Sequence, residues 1–352
     1  MMSKDNLKKI ILYISTNDGS DMRINKEIKT LSKYADIYFL GVGKYCDKNY
    51  ASAYCKDFFL IQNKRNSLKA ISHQIAKFLQ LSRKYKFDSY HIINEQLMIF
   101  FYPFLFSKYV VLDIFDSFFM KINAPKNKFK FIKKMVYAPM NYLFVTDENR
   151  KELMPDFVQN KLGVLENYPN QYNGLTKKKT KNLTIFYNGS MSNSRGTEIL
   201  IKLTEKFKKI KVIMAGWLAD EATVAFSKSS FVDFRGTITQ IEATKIAAIE
   251  SDYIMCCYEP SNQNNINASP NKIYDAIQAK TPVIINSEII VSEFVKTNKI
   301  GLVIDDFYEF SVDILYKDLI ENRNKFIFSE SQAIKYSWES VELKLLYAHK
   351  LI

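Results

Sequence analysis

The chain has 352 residues, more than one ordinary core holds, so two domains are expected. With 47% hydrophobic and 25% charged residues it can bury substantial cores, which excludes a disordered chain. The formal charge of +13 is uneven: residues 1–170 hold 27 Lys and Arg against 16 Asp and Glu, a net of +11, while residues 171–352 hold 23 against 21, a net of +2.

A basic first half suits anionic partners such as phospholipid headgroups, lipid pyrophosphates or nucleic acid, although biased coding produces the same lysine excess. Nucleic acid would rest on charge alone, and it is not expected as a partner. The four cysteines lack zinc spacing, and Cys256 and Cys257, adjacent in an apolar run, read as buried strand residues. No cleavable apolar leader and no apolar run of about 20 residues is present. A cytoplasmic chain is therefore expected, at most peripheral on the inner face of the membrane.

Strand and helix signals alternate, the pattern of parallel α/β layers. Strand-like runs occupy 8–15, 35–43, 57–62, 89–94, 109–116 and 141–148. Helices are predicted over 22–34 and 67–85, the second placing Leu68, Ile71, Ile75, Phe78 and Leu79 on one face. A linker is predicted at 169–182, where Pro169, Gly174 and a lysine run follow one another. The rhythm then restarts with strands at 183–190, 211–217, 231–238, 253–259, 281–286 and 300–305, and a last helix over 337–350. The expected domains are thus 1–168, 183–336 and a C-terminal helix, 337–352, packing back on the first domain. Two such βα halves are what a pair of Rossmann-like domains produces.

Ligands of open parallel sheets bind where loops leave the carboxyl ends of strands. In the second half those loops are NGSMSNSRG (188–196), Gly216-Trp217, Arg235-Gly236-Thr237 and YEPSNQNNINASPNK (258–272). The first and last open helices whose N–H groups suit a diphosphate, with Arg195 and Lys272 as cations. Asp275, one turn into the last helix, is placed to accept ribose hydroxyls. Taken singly, each glycine reads as a tight turn; four such loops at consecutive strand ends are a stronger signal.

The stretch from Tyr187 to Asp305 resembles the donor domain of retaining GT-B glycosyltransferases of family four, most closely in SPNKIYDAIQAKTPVI (269–284). YNGSMSNSRG is similar to that family's glycine-bearing opening loop. The first half resembles the acceptor domain through ISTNDGSDMRINKEIKTLSK (14–33), FDSYHIINEQ (87–96) and VLDIFDSF (111–118). The resemblance implies an α/β fold of the GT-B class: two Rossmann-like domains facing across a cleft, with a C-terminal helix crossing back to the first. It implies sugar transfer from a UDP- or GDP-linked nucleotide sugar to a glycan or lipid-linked glycan acceptor, with retention, in surface-polysaccharide (capsule or O-antigen) synthesis.

Roles follow residue by residue. Lys272, Arg195 and Asp275 would act in catalysis. Gly189, Ser190, Gly196, Gly216, Thr237, Tyr258, Asn267, Ser269 and Asn271 would join them in binding the donor. Gly19, Asp21, Arg23, His91 and Glu95 would face the acceptor. His91, with Asp88 before it and Asn94-Glu95 after, also reads as a buried histidine satisfied by a neighbour.

The family has two glutamates eight positions apart; here they are Asn267 and Asp275, and Ser190 replaces an arginine. An inactive GT-B binding partner and a nucleotide-sugar epimerase are therefore the rival readings. A dehydrogenase is disfavoured because no G-x-G-x-x-G follows the first strand of either half. Neither a metal nor a cofactor is expected, since lysine, arginine and helix starts can neutralise the leaving diphosphate. Finally, APKNKFKFIKKMVYAPM (124–140) interleaves Lys126, Lys128, Lys130, Lys133 and Lys134 with Phe129, Phe131, Ile132, Met135 and Val136. This reads as an interfacial helix for an anionic membrane surface, or as a helix packed on its own sheet.

Overall fold

β-Branched and aromatic runs become strands here, and amphipathic runs become the helices between them. The computed structural model describes residues 8–172, 174 and 182–352. In the first part of the chain these are β1 (Lys9–Ile14), α1 (Met22–Ser32), β2 (Ala35–Val42), β3 (Asp57–Ile61), α2 (Leu68–Lys84), β4 (Ser89–Ile93), α3 (Glu95–Phe101), β5 (Val110–Ile114), α4 (Phe118–Lys121), α5 (Lys130–Tyr137), β6 (Tyr142–Val145), α6 (Glu148–Glu152) and β7 (Leu162–Val164). The remainder forms β8 (Thr184–Met191), α7 (Thr197–Lys206), β9 (Lys211–Leu218), α8 (Glu221–Ser227), β10 (Val232–Phe234), α9 (Gln240–Glu250), β11 (Tyr253–Met255), α10 (Gln263–Ile266), α11 (Asn271–Ala279), β12 (Val283–Asn286), α12 (Ser292–Thr297), β13 (Gly301–Ile304), α13 (Val312–Glu321), α14 (Glu330–Lys335) and α15 (Glu342–Ala348).

Two units result, Met1–Asn167 with Val341–Ile352, and Tyr168–Ser340. The first holds a seven-stranded sheet ordered β3-β2-β1-β4-β5-β6-β7, the second a six-stranded sheet ordered β10-β9-β8-β11-β12-β13. Every pairing is parallel. In each sheet the order reverses once, between β1 and β4 and between β8 and β11, the doubly wound arrangement. Helices cover both faces, so the central strands are buried throughout: all five residues of β4 and of β5 are enclosed.

The core of the first unit joins Leu12, Ile92 and Leu112 of the strands to Phe78 and Leu81 of α2. That of the second joins Ile185, Val212 and Ile284 to Leu200, Leu203 and Leu319. The inward face of α2 is Ala70, Ile71, Gln74, Phe78 and Leu81. Leu68, expected on that face, is 73% exposed because it opens the helix on the outward side.

Other boundaries also move. β7 was not expected, and β10 and β11 stop after three residues because the chain bends away into loops at their carboxyl ends. The described start of the predicted linker packs on the second unit. Tyr168 packs on Tyr274 and Tyr336, and the Tyr172 N–H donates to Gln278 at 3.2 Å; residues 173 and 175–181 lie outside the described residues. Residues 337–340 stay with the second unit, where Trp338 is buried and its N–H donates to the Pro169 carbonyl.

The segment that does belong to the first unit, Val341–Ile352, is held by polar contacts as well as by Leu345 and Leu346. Thr30 donates to Glu342 at 2.7 Å, Lys344 pairs with Glu166 at 2.7 Å, and the Tyr109 hydroxyl donates to the Ala348 carbonyl. His349 contacts Ser89 Oγ at 2.8 Å through Nδ1 and His91 Nδ1 at 3.0 Å through Nε2.

This contact is the end of a buried network. Arg23, on the inner side of the first turn of α1, donates to Glu27 at 2.7 Å and to both oxygens of Asp113 at 2.6 and 2.8 Å. Tyr13 donates to Glu27 at 2.5 Å and stacks on His91. Burial disfavours the Arg23 charge, but Asp113 and Glu27 more than offset it and the guanidinium is held further toward its charged form. Burial drives the His91 imidazole down to about 4, against the pull of Asp113, so it is neutral near pH 7. Burial also pushes the Asp113 carboxyl up to about 7, opposed by Arg23.

Replacing Arg23 by methionine removes the cation and leaves two enclosed carboxylates together. Losing one member of such a pair costs about 3–5 kcal/mol. R23M is therefore expected to lower the urea midpoint by that equivalent at unchanged slope; a change under about 1 kcal/mol would show that the network adds little.

Candidate active site

In the second unit the loops after β8 and β11 leave from the two sides of the sheet's switch point, and their side chains meet there. Arg195, at the end of a short turn after β8, lays its guanidinium over the Tyr258 ring at 3.7 Å, and its Nη1 is buried without a hydrogen-bond partner among the described residues. Tyr258 is fixed from below by Asn286 at the end of β12, which accepts its N–H and donates to its carbonyl, each at 2.9 Å. Lys272, second residue of α11, reaches back to the Met255 carbonyl at 3.2 Å and lies 5.4 Å from the Tyr187 ring centre. Burial lowers the Lys272 ammonium from its usual value, and Arg195 adds to that; the neighbouring cysteines and Asp275 oppose it. Each of these cations is held by an aromatic ring or a backbone carbonyl, and neither has a carboxylate salt bridge among the described residues.

The backbone leaves room for a ligand in the same place. Gly189 has φ +84°, and a Cβ there would meet only Lys272 Cε, at 3.9 Å. Gly216 has φ +133°, and a Cβ would fall 2.0 Å from the Gly189 carbonyl oxygen, so the glycine is required for β8 and β9 to approach. Gly196, φ +97°, lets its loop press on Met255 and Cys257. Gly196 precedes α7 and Pro270 precedes α11 at the N-cap, and no side chain caps either helix. By contrast α8 is capped by Asp220 and α9 by Thr239 with Glu242 in a capping box. Uncapped first turns beside cations are chemically suited to a polyanion.

Asp275 lies one turn further along α11 and accepts from Gln240 of α9 at 3.1 Å. It lines a small crevice with Asn188, Thr244 and Lys272. Ser190 and Asn271 are exposed beside these groups, and Ser269 contacts the Tyr274 hydroxyl at 3.2 Å. Thr237 is exposed beyond β10, in a loop whose Arg235 is already held by Asp233 and Glu250. Asn267 is buried, its amide donating to the carbonyl and side chain of Gln263, so no acid stands at that position.

The residues expected on the acceptor side are placed differently. Gly19 sits in a turn whose N–H donates to Asn17, φ +83°, with the Phe58 ring where a Cβ would go. Asp21 caps α1, accepting from the N–H groups of Arg23 and Ile24. Arg23, His91 and Glu95 are interior. Glu95 accepts from Ser117, from the Phe118 N–H at 2.6 Å and from Tyr137, which consumes its oxygens in fixing the turn before α4. Burial holds its carboxyl above the usual value against those bonds. These three therefore present no acceptor-facing atoms: they point inward because the strand ends and the first helical turns they occupy are covered.

Glu27, His91 and Asp113 bring three possible metal-ligand atoms within 4.8 Å of one another, a grouping not foreseen. Arg23 already fills the cationic position between the two carboxylates. Asn286, Glu259 and Tyr308 were missed in the second unit. Tyr308 donates to Glu259 at 2.9 Å, beside the Arg195 loop, whose Ser194 carbonyl accepts the Glu259 N–H. An asparagine closing an apolar strand, as Asn286 does, was the available signal.

The chain has the fold of GT-B glycosyltransferases. It resembles sucrose-phosphate synthase from Thermosynechococcus elongatus at TM-score 0.72 and 10% identity, over 97% of this chain and 98% of that one. HepE from Anabaena, in a structure with UDP-glucose, matches at TM-score 0.71 and 13% identity, over 97% and 100%. A Listeria monocytogenes protein assigned as a UDP-N-acetylglucosamine 2-epimerase matches at TM-score 0.60 and 8% identity, over 97% and 96%. No protein-family model matches the chain, and no curated protein does.

If the switch point of the second sheet binds a nucleoside diphosphate, Asp275→Ala should weaken it by about 1.5–3 kcal/mol, one charged hydrogen bond. Arg195→Ala should weaken inorganic pyrophosphate as well, which Asp275→Ala should not. Calorimetry with uridine diphosphate and with pyrophosphate separates the two, and equal affinity in all three proteins would refute the assignment.

Proposed function

We propose that the chain transfers a sugar from a UDP- or GDP-linked donor to a hydroxyl of a glycan or lipid-linked glycan. The observation that carries this reading is the pair Arg195 and Lys272, set at the starts of α7 and α11, two helices whose first turns no side chain caps, at the switch point. In the reaction the bond between the anomeric carbon and the diphosphate oxygen breaks, and the diphosphate leaves with the electron pair. The acceptor oxygen forms the new bond and gives up its proton to the departing diphosphate oxygen. Charge grows on the leaving diphosphate, where preorganised cations and helix N–H groups stabilise it. Asp275 is suited to the ribose and Tyr258, stiffened by Asn286, to one wall of the pocket. The UDP-glucose in the HepE structure favours a uridine-linked donor.

Retention of configuration and a role in surface-polysaccharide synthesis follow from the family-four resemblance. A lipid-linked acceptor would place the protein peripherally on the inner membrane face; no helix among the described residues is long and apolar enough to cross a membrane. With Asn267 in place of an acid, contacts to the donor sugar fall to amide and backbone groups.

The test is a panel of nucleotide sugars with glycan acceptors, following nucleoside diphosphate release and the linkage formed. Acceptor-dependent release supports transfer. A new nucleotide sugar with no release would point to epimerisation, and tight binding with no turnover to an inactive partner. We also expect activity to survive excess chelator, because the cations that neutralise the diphosphate belong to the protein. Loss with chelator and recovery with Mg²⁺ or Mn²⁺ would overturn that part.

A further inference from the structure

We propose that residues 121–134 dock the first unit on an anionic lipid surface, with Phe131 entering the headgroup boundary and the lysines around it meeting the headgroups. The inference stands on the geometry of this segment and does not depend on the transfer reaction. The segment reads KINAPKNKFKFIKK, with six lysines and no acid.

α5 has two faces, and only one belongs to the core. Val136 and Tyr137 point inward, Tyr137 donating to Glu95. Lys133, expected among the surface lysines, is also inward: its ammonium donates to the carbonyls of Ala124 and Lys126 at 2.6 and 2.7 Å and lies over the Phe119 ring. That tie holds the preceding loop, which turns through left-handed residues at Asn123, Lys126 and Phe129, against the helix. At 100° per residue Phe131 falls opposite the inward face, and it is 76% exposed. Ile122, Phe129 and Ile132 are exposed as well, as are Lys121, Lys126, Lys128, Lys130 and Lys134.

The core of the unit is already filled by the other face, so packing gives no reason for phenylalanines here. The neighbouring acids are engaged, Asp116 with Lys121 and Asp156 with Asn127. A protein partner fits poorly, because the centres of protein interfaces are depleted in lysine. Lysines ringing exposed aromatic residues match an interface of anionic headgroups over acyl chains, where the stems of the lysines lie along the apolar layer.

The experiment is cosedimentation of the full chain with vesicles of phosphatidylcholine, alone or with rising phosphatidylglycerol. Two variants are compared with it, one carrying K126Q, K128Q, K130Q and K134Q, the other carrying F129S and F131S. All six positions are exposed, and thermal unfolding checks that both variants stay folded. Binding of the unaltered protein should rise with phosphatidylglycerol and fall with salt. The glutamine variant should lose about tenfold or more in partitioning, 1.4 kcal/mol. The serine variant should bind more weakly at every composition while keeping its salt dependence. Failure of the unaltered protein to bind, or equal binding by all three, would overturn the proposal. Nucleoside diphosphate release with a soluble acceptor should be the same in all three, so this result and that of the transfer assay are read separately.

Discussion

A parallel sheet sends every strand's carboxyl end to one edge, and the winding of the chain decides which loops gather there. In the second unit the order reverses between β8 and β11, so the loops that follow depart to opposite faces and leave a gap. Arg195 comes from one of those loops and Tyr258 from the other, and the guanidinium stacks on the ring. The glycines of β8 and β9 let the two backbones draw together beside Lys272, which approaches from α11. Each part of the candidate site is a consequence of that one reversal.

The two units treat charge in opposite ways. In the first, Arg23 is enclosed between the carboxyl groups of Glu27 and Asp113, with neutral His91 and His349 completing the set. Such a cluster costs desolvation on every member and repays it only through close geometry. In the second, Arg195 is offered an aromatic face, and Lys272 a backbone carbonyl and an aromatic face. Each cation–π contact is worth only about 0.5–2 kcal/mol, less than a carboxylate or phosphate oxygen would supply. That difference is what the proposed diphosphate site would draw on.

Much of the fold was readable residue by residue, because strand runs such as IILYI are apolar from end to end and the helices between them carry stripes. The three residues of β7 were not, since so short a run has no period to detect. In the candidate site, Arg195, Lys272 and the helix starts were visible as local chemistry at predicted strand ends. Asn286 was not, for it acts on Tyr258 only after β11 and β12 pair. The acceptor-side residues were misplaced for a related reason. Whether Arg23 or His91 faces inward depends on Asp113 and His349, which lie 90 and 258 residues away in sequence. Phe131 and Val136 look alike in sequence, and the covered face of α5 is set by Glu95 and Tyr137 meeting from different elements.

The return of Val341–Ile352 to the first unit bears on how the protein is made. A chain emerging from the ribosome folds from its N-terminus, at about 5–20 residues per second. Yet Ser89, His91 and the Tyr109 hydroxyl have their partners in residues 348 and 349. During synthesis the first unit must wait with a polar seam open while the whole second unit is translated, roughly 10–40 seconds at those rates. Its final closure is therefore a late step, and a nascent chain stalled within the second unit would expose that seam to whatever binds unfinished proteins.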